Sequence, residues 1–196
     1  MQVRRREDGF RIVEARQLEE AQPLLRMELI DGVLYSMGRA TPWHAAMTAG
    51  LIQAIGGQLQ SDCRAYAESL AVGAAEHDAT YVHPDVTIVC GPLVTHPEEP
   101  TVVLNPRAVF EVLSPGTALR DRNEKLAKYQ SIPAIQAIVY LEYERRLVIA
   151  WLRLEDGWHQ IEREPGRTLE VPEPAISLDV GALYAQAEPA GGPPAS

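Results

Sequence analysis

The fold of this 196-residue chain is decided by two short apolar stretches, Tyr81-Val82-His83-Pro84-Asp85-Val86-Thr87-Ile88-Val89-Cys90 and Ala108-Val109-Phe110-Glu111-Val112-Leu113. Both are rich in valine and isoleucine and are bounded by proline, glycine or asparagine, which is typical of buried β-strands. Each stretch nevertheless carries an acid, Asp85 in the first and Glu111 in the second. A carboxylate is costly to bury unless it is paired, protonated or bound to a metal, so the two acids indicate a functional site.

The two acids can meet if their strands are neighbours. Side chains alternate across a strand, so Asp85 shares a face with Thr87, and Glu111 shares one with Val109. Two carboxylates at one place suit Mg²⁺ or Mn²⁺, and such a metal polarises a phosphoryl oxygen and activates water. The segment that follows carries Lys125, whose amine can orient the attacking water. The pattern predicts a metal-dependent hydrolytic site.

A third acid, Glu28, lies in a predicted N-terminal hairpin over residues 27–37, with Asp31-Gly32 as its two-residue turn. Glu28 shares a strand face with Ile30, so an acid is again unusual at this position. We regard it as a further candidate site residue. The alternative is an edge-strand acid that reaches solvent.

The remaining pattern predicts one α/β domain over residues 1–187, with a mixed central sheet flanked by helices. Thr41 is expected to cap the helix that Pro42 opens. Residues 188–196 are rich in Pro, Gly and Ala and are expected to be a disordered tail. The other expected elements are helices at 14–22, 41–60 and 120–131 and strands at 66–72, 134–140, 147–154 and 158–161.

Composition sets limits on function. Apolar residues make up 46% and charged residues 23% of the chain, an ordinary globular profile with no run as long as a membrane span. The first residues are basic without an apolar stretch behind them, so we expect no secretory signal. Cys63 and Cys90 lie in different contexts and are expected to be reduced thiols in a cytoplasmic protein. The net charge of −9 argues against a strongly basic nucleic-acid binder, although not against an enzyme with a local basic groove.

Several motifs follow one another in a specific order. They are Met27-Glu28-Leu29-Ile30-Asp31-Gly32, His44, Pro84-Asp85-Val86, Phe110-Glu111-Val112-Leu113-Ser114-Pro115-Gly116-Thr117, and Asp121-Arg122-Asn123-Glu124-Lys125 with Tyr129. As a set they resemble the Uma-type restriction endonuclease family, a branch of the PD-(D/E)xK nuclease superfamily. The resemblance covers roughly residues 18–162.

The resemblance implies a restriction-endonuclease-like core, a divalent metal, DNA phosphodiester hydrolysis and a homodimer. Asp85 and Glu111 match the two metal-binding acids of the family, and Glu28 matches its N-terminal acid. The parent pattern has a lysine two residues after the second acid, where this chain has Leu113. In this family the lysine has moved to the following helix, which makes Lys125 the fourth catalytic candidate.

Three accessory candidates have plainer alternatives. Asp121 is four residues before Lys125 on one helix face, a spacing that also suits a surface ion pair. Tyr129 continues that face and is better explained by packing against the core. His44 lies in the first turn of its helix, where it either contacts phosphate or the catalytic centre, or is structural or solvent-facing.

The leading hypothesis is therefore a Mg²⁺-dependent DNA endonuclease in which Arg120, Arg122 and Lys128 contact phosphates. The alternative is a catalytically inactive nuclease fold that binds nucleic acid or protein, since a fold does not fix a function. A third hypothesis is a structure-selective nuclease for branched or damaged DNA without a restriction role.

Overall fold

A computed structural model describes residues 3–4, 7–22, 25–38, 40–67, 70–74, 78–113 and 124–188. The helices within these residues are α1 (Ile12–Glu20), α2 (Pro42–Gly56), α3 (Leu126–Ser131) and α4 (Val180–Ala187). The strands are β1 (Val3–Arg4), β2 (Met27–Ile30), β3 (Val33–Ser36), β4 (Cys63–Ala67), β5 (Ala71–Gly73), β6 (Tyr81–Val82), β7 (Val86–Cys90), β8 (Val102–Val103), β9 (Pro106–Leu113), β10 (Ala137–Glu142), β11 (Leu147–Leu154), β12 (Gly157–Arg163), β13 (Thr168–Val171) and β14 (Ile176–Asp179).

The described strands form two six-stranded sheets and one hairpin. The order in the first sheet is β1-β3-β2-β6-β5-β8, and in the second sheet β12-β11-β10-β9-β7-β4, while β13 pairs with β14. Strand β9 runs parallel to β10 and antiparallel to β7, so the second sheet is mixed. The predicted mixed α/β fold with flanking helices is confirmed, and the structure adds a sheet at the N-terminal side.

The second sheet has a different partner on each face. One face packs Val86 and Phe110 against Met47 and Leu51 of α2, in a core that α4 completes. Because side chains alternate along β9, Val109 points to the opposite face, into a core shared with α3 and the first sheet. Glu111, two residues after Val109 on the same strand, therefore faces the region between the two sheets, where Lys125 binds it.

The two acid-bearing strands are neighbours, which was the condition for their acids to meet. Strands β7 and β9 are antiparallel, with Val86 opposite Phe110 and Thr87 opposite Val109. Asp85 precedes β7 by one residue, and its Oδ2 accepts from the N–H of Val112 on β9 at 2.6 Å, so it lies next to the part of β9 that carries Glu111.

Two predicted strands are each divided between the sheets. Residues 81–90 form β6 in the first sheet and β7 in the second, and residues 66–72 span the end of β4 and the start of β5. A single strand over 81–90 was wrong because Pro84 has no N–H for a ladder and ends the pairing. The chain passes from one sheet to the other at Pro84-Asp85.

Local signals were accurate at the hairpin and at α2. Asp31 and Gly32 have φ angles of 50° and 75°, as the predicted two-residue turn requires. Thr41 caps α2 by accepting a hydrogen bond from the His44 N–H at 3.2 Å. The helix ends at Gly56, four residues before the predicted end.

The expectation of two reduced thiols was wrong, because Cys63 and Cys90 form a disulfide. Strands β4 and β7 are antiparallel neighbours, and their register places the two residues opposite each other with Cα atoms 3.9 Å apart. Their separation of 27 residues gave no sign of this contact. The cytoplasmic location inferred with the thiols stays a prediction.

The C-terminal part of the chain holds elements that the sequence analysis did not assign. They are the β13–β14 hairpin and α4, which Asp179 caps by accepting from the Ala182 N–H. Of the predicted helix at 120–131, the structure describes Leu126–Ser131, and residues 114–123 lie outside the described part, as do 189–196 of the predicted tail. In the described part of the chain, no helix is long and apolar enough to span a membrane.

Candidate active site

Three charged side chains meet between the two sheets, and a fourth, Asp85, lies beside them at the end of the second sheet. Glu28 comes from β2, Asp85 from the crossover before β7, Glu111 from β9, and Lys125 from the N-cap position of α3. All four residues are buried, and Asp85 is the most exposed at 7%. Charged residues are seldom buried to this degree unless they pair with one another, so the cluster is a specific feature of the fold.

Lys125 bridges the two sheets. Its Nζ lies 2.7 Å from Glu28 Oε1 and 3.1 Å from Glu111 Oε1. An ammonium group has three donors, so one amine can serve both carboxylates. The predicted proximity of this lysine to the second acid is therefore present, although its catalytic role stays a prediction.

Glu28 is held by the backbone as well as by the lysine. The His83 N–H donates to Glu28 Oε1 at 3.1 Å. The antiparallel pairing of β2 with β6, through Leu29 and Tyr81, brings these two segments together. Glu28 is fully buried, so the alternative of an edge-strand acid that reaches solvent is excluded.

Both oxygens of Asp85 have partners. The Val112 N–H donates to Oδ2 at 2.6 Å, and His44 Nε2 lies 3.1 Å from Oδ1. His44 is in the first turn of α2 and reaches Asp85 at the end of the second sheet. The accessory candidate His44 thus contacts the cluster.

Tyr129 contacts the same carboxylate as Lys125. Its hydroxyl donates to Glu111 Oε1 at 2.5 Å from a fully buried ring. Burial, and then the negative charges of Glu111 and Glu28, raise the pKa of Tyr129 well above its ordinary value. The residue is therefore a permanent hydrogen-bond donor near neutral pH, and it also packs in the core as expected.

Other predicted residues lie elsewhere. Asp121, Arg120 and Arg122 are outside the described residues. Lys128 binds Asp31 at the hairpin turn, with Nζ 2.6 Å from Oδ1, and so is paired on the surface. Leu113, at the position of the parent lysine, is buried in the core that also contains Tyr129.

The sequence analysis missed His83. Its ring is 3% exposed, and neither ring nitrogen has a hydrogen-bond partner among the described residues. Burial, and then the charges of Arg26, Arg16 and Lys125, lower the pKa of His83 to about 3. The available signal was its position directly before Pro84-Asp85. A residue next to a motif acid can bind other residues of the site, as the His83 N–H does with Glu28.

The donor set fits a divalent cation that keeps much of its water. Three carboxylates and one ammonium leave the cluster with a formal charge of −2, which one such ion balances. Within the described ranges, no group of three or more His, Cys, Asp or Glu lies close enough to hold a metal. Asp85 and Glu111 alone suit Mg²⁺, which is often bound by one or two carboxylates together with water and substrate phosphates.

Comparisons with known proteins show the family and the fold of the chain. A family model described as "Putative restriction endonuclease", Uma2, matches residues 12–181. A solved structure, a putative nuclease belonging to DUF820 from Anabaena variabilis ATCC 29413, aligns with a TM-score of 0.71 and 16% identity. That alignment covers 91% of this chain and 99% of the other, and it shows a shared fold. No curated protein sequence matches the chain. With most of its length matched by the family model, the chain belongs to the Uma2 family.

Proposed function

We propose that the protein is a metal-dependent endonuclease that hydrolyses DNA phosphodiester bonds. The observation that supports this most is the contact of Lys125 with Glu111, 3.1 Å between amine and carboxylate, although the lysine is absent from position 113. This contact supports the proposal that Lys125 takes over the role of the strand-borne lysine in the parent pattern.

The side chains divide into distinct roles. Asp85 and Glu111 would hold Mg²⁺ or Mn²⁺, which when bound polarises a phosphoryl oxygen and lowers the pKa of water. Lys125 would donate hydrogen bonds to the attacking water or to a charged phosphate oxygen. Glu28 would keep the Lys125 amine charged and in place.

The surroundings of the cluster favour those roles. Low exposure strengthens each electrostatic contact in the site, because little water screens it. The Tyr129 hydroxyl and the Val112 N–H fix Glu111 and Asp85 through one hydrogen bond each. A site whose groups are already oriented loses less free energy to reorganisation during the reaction.

Partners and location belong to the same proposal. A homodimer would place two such sites on the two strands of a duplex, and the expected compartment is the cytoplasm. The net charge of −9 gives little general attraction to DNA, so binding would depend on local basic residues.

A second candidate is an inactive nuclease fold that binds nucleic acid or protein. Two observations favour it, namely Leu113 at the parent lysine position and the acidic net charge. The two candidates make opposite predictions for metal-dependent cleavage.

The test is plasmid cleavage by the purified full chain in Mg²⁺, Mn²⁺ or EDTA. We expect nicking with metal and none in EDTA, and a loss of at least about 100-fold in Asp85→Asn and Lys125→Met. Asp156→Asn is the matched control for Asp85→Asn, because it removes the charge of an exposed carboxylate outside the cluster, and it should cleave as the wild type does.

Two results would contradict the proposal. Cleavage that survives in Asp85→Asn would mean that the nuclease activity belongs to a contaminant or to another site. Intact plasmid with every metal, together with retained binding of a labelled duplex in a gel-shift assay, would instead support the inactive binding protein.

A further inference from the structure

His44 and Asp85 form a pair at the more exposed end of the cluster. The distance from His44 Nε2 to Asp85 Oδ1 is 3.1 Å, and the side chains are 15% and 10% exposed. An ionised carboxylate can only accept a hydrogen bond, so in this contact Nε2–H is the donor and Asp85 Oδ1 is the acceptor.

The backbone of His44 is fixed on both sides. Its N–H donates to Thr41 Oγ1 at 3.2 Å, and its carbonyl accepts from Thr48 Oγ1 at 3.0 Å. The preceding Trp43 ring lies 4.2 Å from the Tyr143 ring. The imidazole therefore extends from a helix turn that has little freedom to move.

Asp85 needs a side-chain partner to hold its carboxylate, because it lies just before β7 and is not part of a paired strand. It precedes β7, and its carboxylate is held by a main-chain donor at one oxygen, the Val112 N–H at Oδ2. A donor at one oxygen restrains the carboxylate less than donors at both oxygens do. His44 supplies the donor at Oδ1, so the plane of the carboxylate is fixed relative to β9.

We propose that His44 is a positioning residue, which orients the Asp85 carboxylate so that it and Glu111 can bind one divalent cation. This rests on the proposed function, since it assigns a task within the same site. The imidazole acts through Asp85 and need not touch the substrate. Partners that orient a metal-binding carboxylate in this way commonly contribute strongly to metal affinity.

The chain contains a matched pair elsewhere. His159 Nε2 lies 2.7 Å from Asp156 Oδ1 on an exposed hairpin, so the same two residue types make the same contact without a neighbouring cluster. Removing His159 therefore controls for the loss of a histidine–carboxylate contact as such.

The test measures Mn²⁺ affinity from the electron paramagnetic resonance signal of the free ion, with the melting temperature of each variant. We expect His44→Ala to weaken Mn²⁺ binding by about 10- to 100-fold. His44→Gln should restore affinity close to that of the wild type, because its amide N–H lies near the position of Nε2. His159→Ala should bind as the wild type does.

Asp85→Asn separates failure of this inference from failure of the proposed function. If Asp85→Asn loses Mn²⁺ and His44→Ala binds normally, the positioning role is overturned while the proposed metal site stands. If the wild type does not bind, or Asp85→Asn binds equally well, the proposed site fails and the positioning role fails with it. If His44→Ala and His44→Gln are equally weak and both melt lower, His44 is only structural and the inference is overturned.

Discussion

Two lysines of one short segment bind two acids of one hairpin, with very different surroundings. Lys125 lies 2.7 Å from Glu28 with side chains 3% and 0% exposed. Lys128, three residues later, lies 2.6 Å from Asp31 with side chains 28% and 69% exposed. The distances are nearly equal, so geometry alone does not distinguish the two pairs.

The difference lies in what surrounds each pair. Glu28 is in the strand of the hairpin and points between the sheets, whereas Asp31 is in its turn and faces water. An exposed pair is screened and contributes about 0–1 kcal/mol. A buried pair is desolvated, so the loss of one partner leaves a charge without compensation and is strongly destabilising. The fold thus makes one pair a candidate site and the other a surface contact.

The largest effect expected from this comparison is on stability. Lys125→Met should lower the free energy of unfolding by about 3–5 kcal/mol, because two buried carboxylates lose their counter-ion. Lys128→Met should lower it by less than about 1 kcal/mol. Urea unfolding of both variants in EDTA measures the difference. Equal destabilisation would show that burial does not separate the two pairs.

The acids of the hairpin provide the reciprocal test. Glu28→Gln should cost about 1.5–3 kcal/mol, the range for a hydrogen bond to a charged group, because Lys125 keeps Glu111 as a partner. Asp31→Asn should change stability by no more than about 0.5 kcal/mol, since asparagine tolerates the left-handed turn conformation. Cleavage of plasmid DNA should fall in Glu28→Gln alone. A fall of the same size in Asp31→Asn would place the turn in the site.

The sequence revealed the acids of the site because burial makes them costly. Asp85 and Glu111 stand out in apolar stretches that the sequence identifies as strands, whereas the pairing of those strands was an assumption that only the structure could test. The Asp31-Gly32 turn was equally clear, because few residue pairs adopt two positive φ angles. These are short-range signals, and they were sufficient for the hairpin, β7 and β9.

Contacts between distant segments could not be predicted in the same way. The bond from the His83 N–H to Glu28 and the disulfide of Cys63 with Cys90 depend on how strands far apart in sequence pair. The β13 strand is a different case. Leu169 and Val171 alternate with exposed neighbours, so a strand signal existed, but four residues are too few for the pattern to stand out.

The stability of the protein in acid depends on the buried His83. In the unfolded chain His83 takes up a proton below its ordinary pKa of 6.5, whereas in the folded protein its pKa is about 3. Its contribution to stability is therefore complete above pH 6.5 and is lost as the pH falls towards 3. In His83→Leu neither the folded nor the unfolded state can take up this proton. As the pH is lowered, the free energy of unfolding of the variant should therefore fall less steeply than that of the wild type. The two slopes should differ by up to about 1.4 kcal/mol per pH unit.

Urea unfolding in EDTA from about pH 7 to about pH 4.5 measures that slope. Leucine removes no hydrogen bond from the ring nitrogens among the described residues, so the variant should remain folded. A wild-type slope in His83→Leu would mean that the ring is protonated in the folded protein.

The smallest expected effect comes from two buried tyrosines, one in the charged cluster and one outside it. Tyr129 donates to Glu111 in the cluster, while Tyr184, also buried, donates to the carbonyls of Glu142 and Leu147 away from it. Tyr184→Phe should cost about 1 kcal/mol, and Tyr129→Phe about 1.5 kcal/mol, because the partner of Tyr129 is a carboxylate. Only Tyr129→Phe should also slow cleavage, because Glu111 then keeps the Lys125 amine and loses the hydroxyl that fixes its Oε1. Paired urea unfolding and plasmid cleavage measure both quantities. If the two variants cleave alike, the Tyr129 hydroxyl is part of the core and has no role in orienting Glu111.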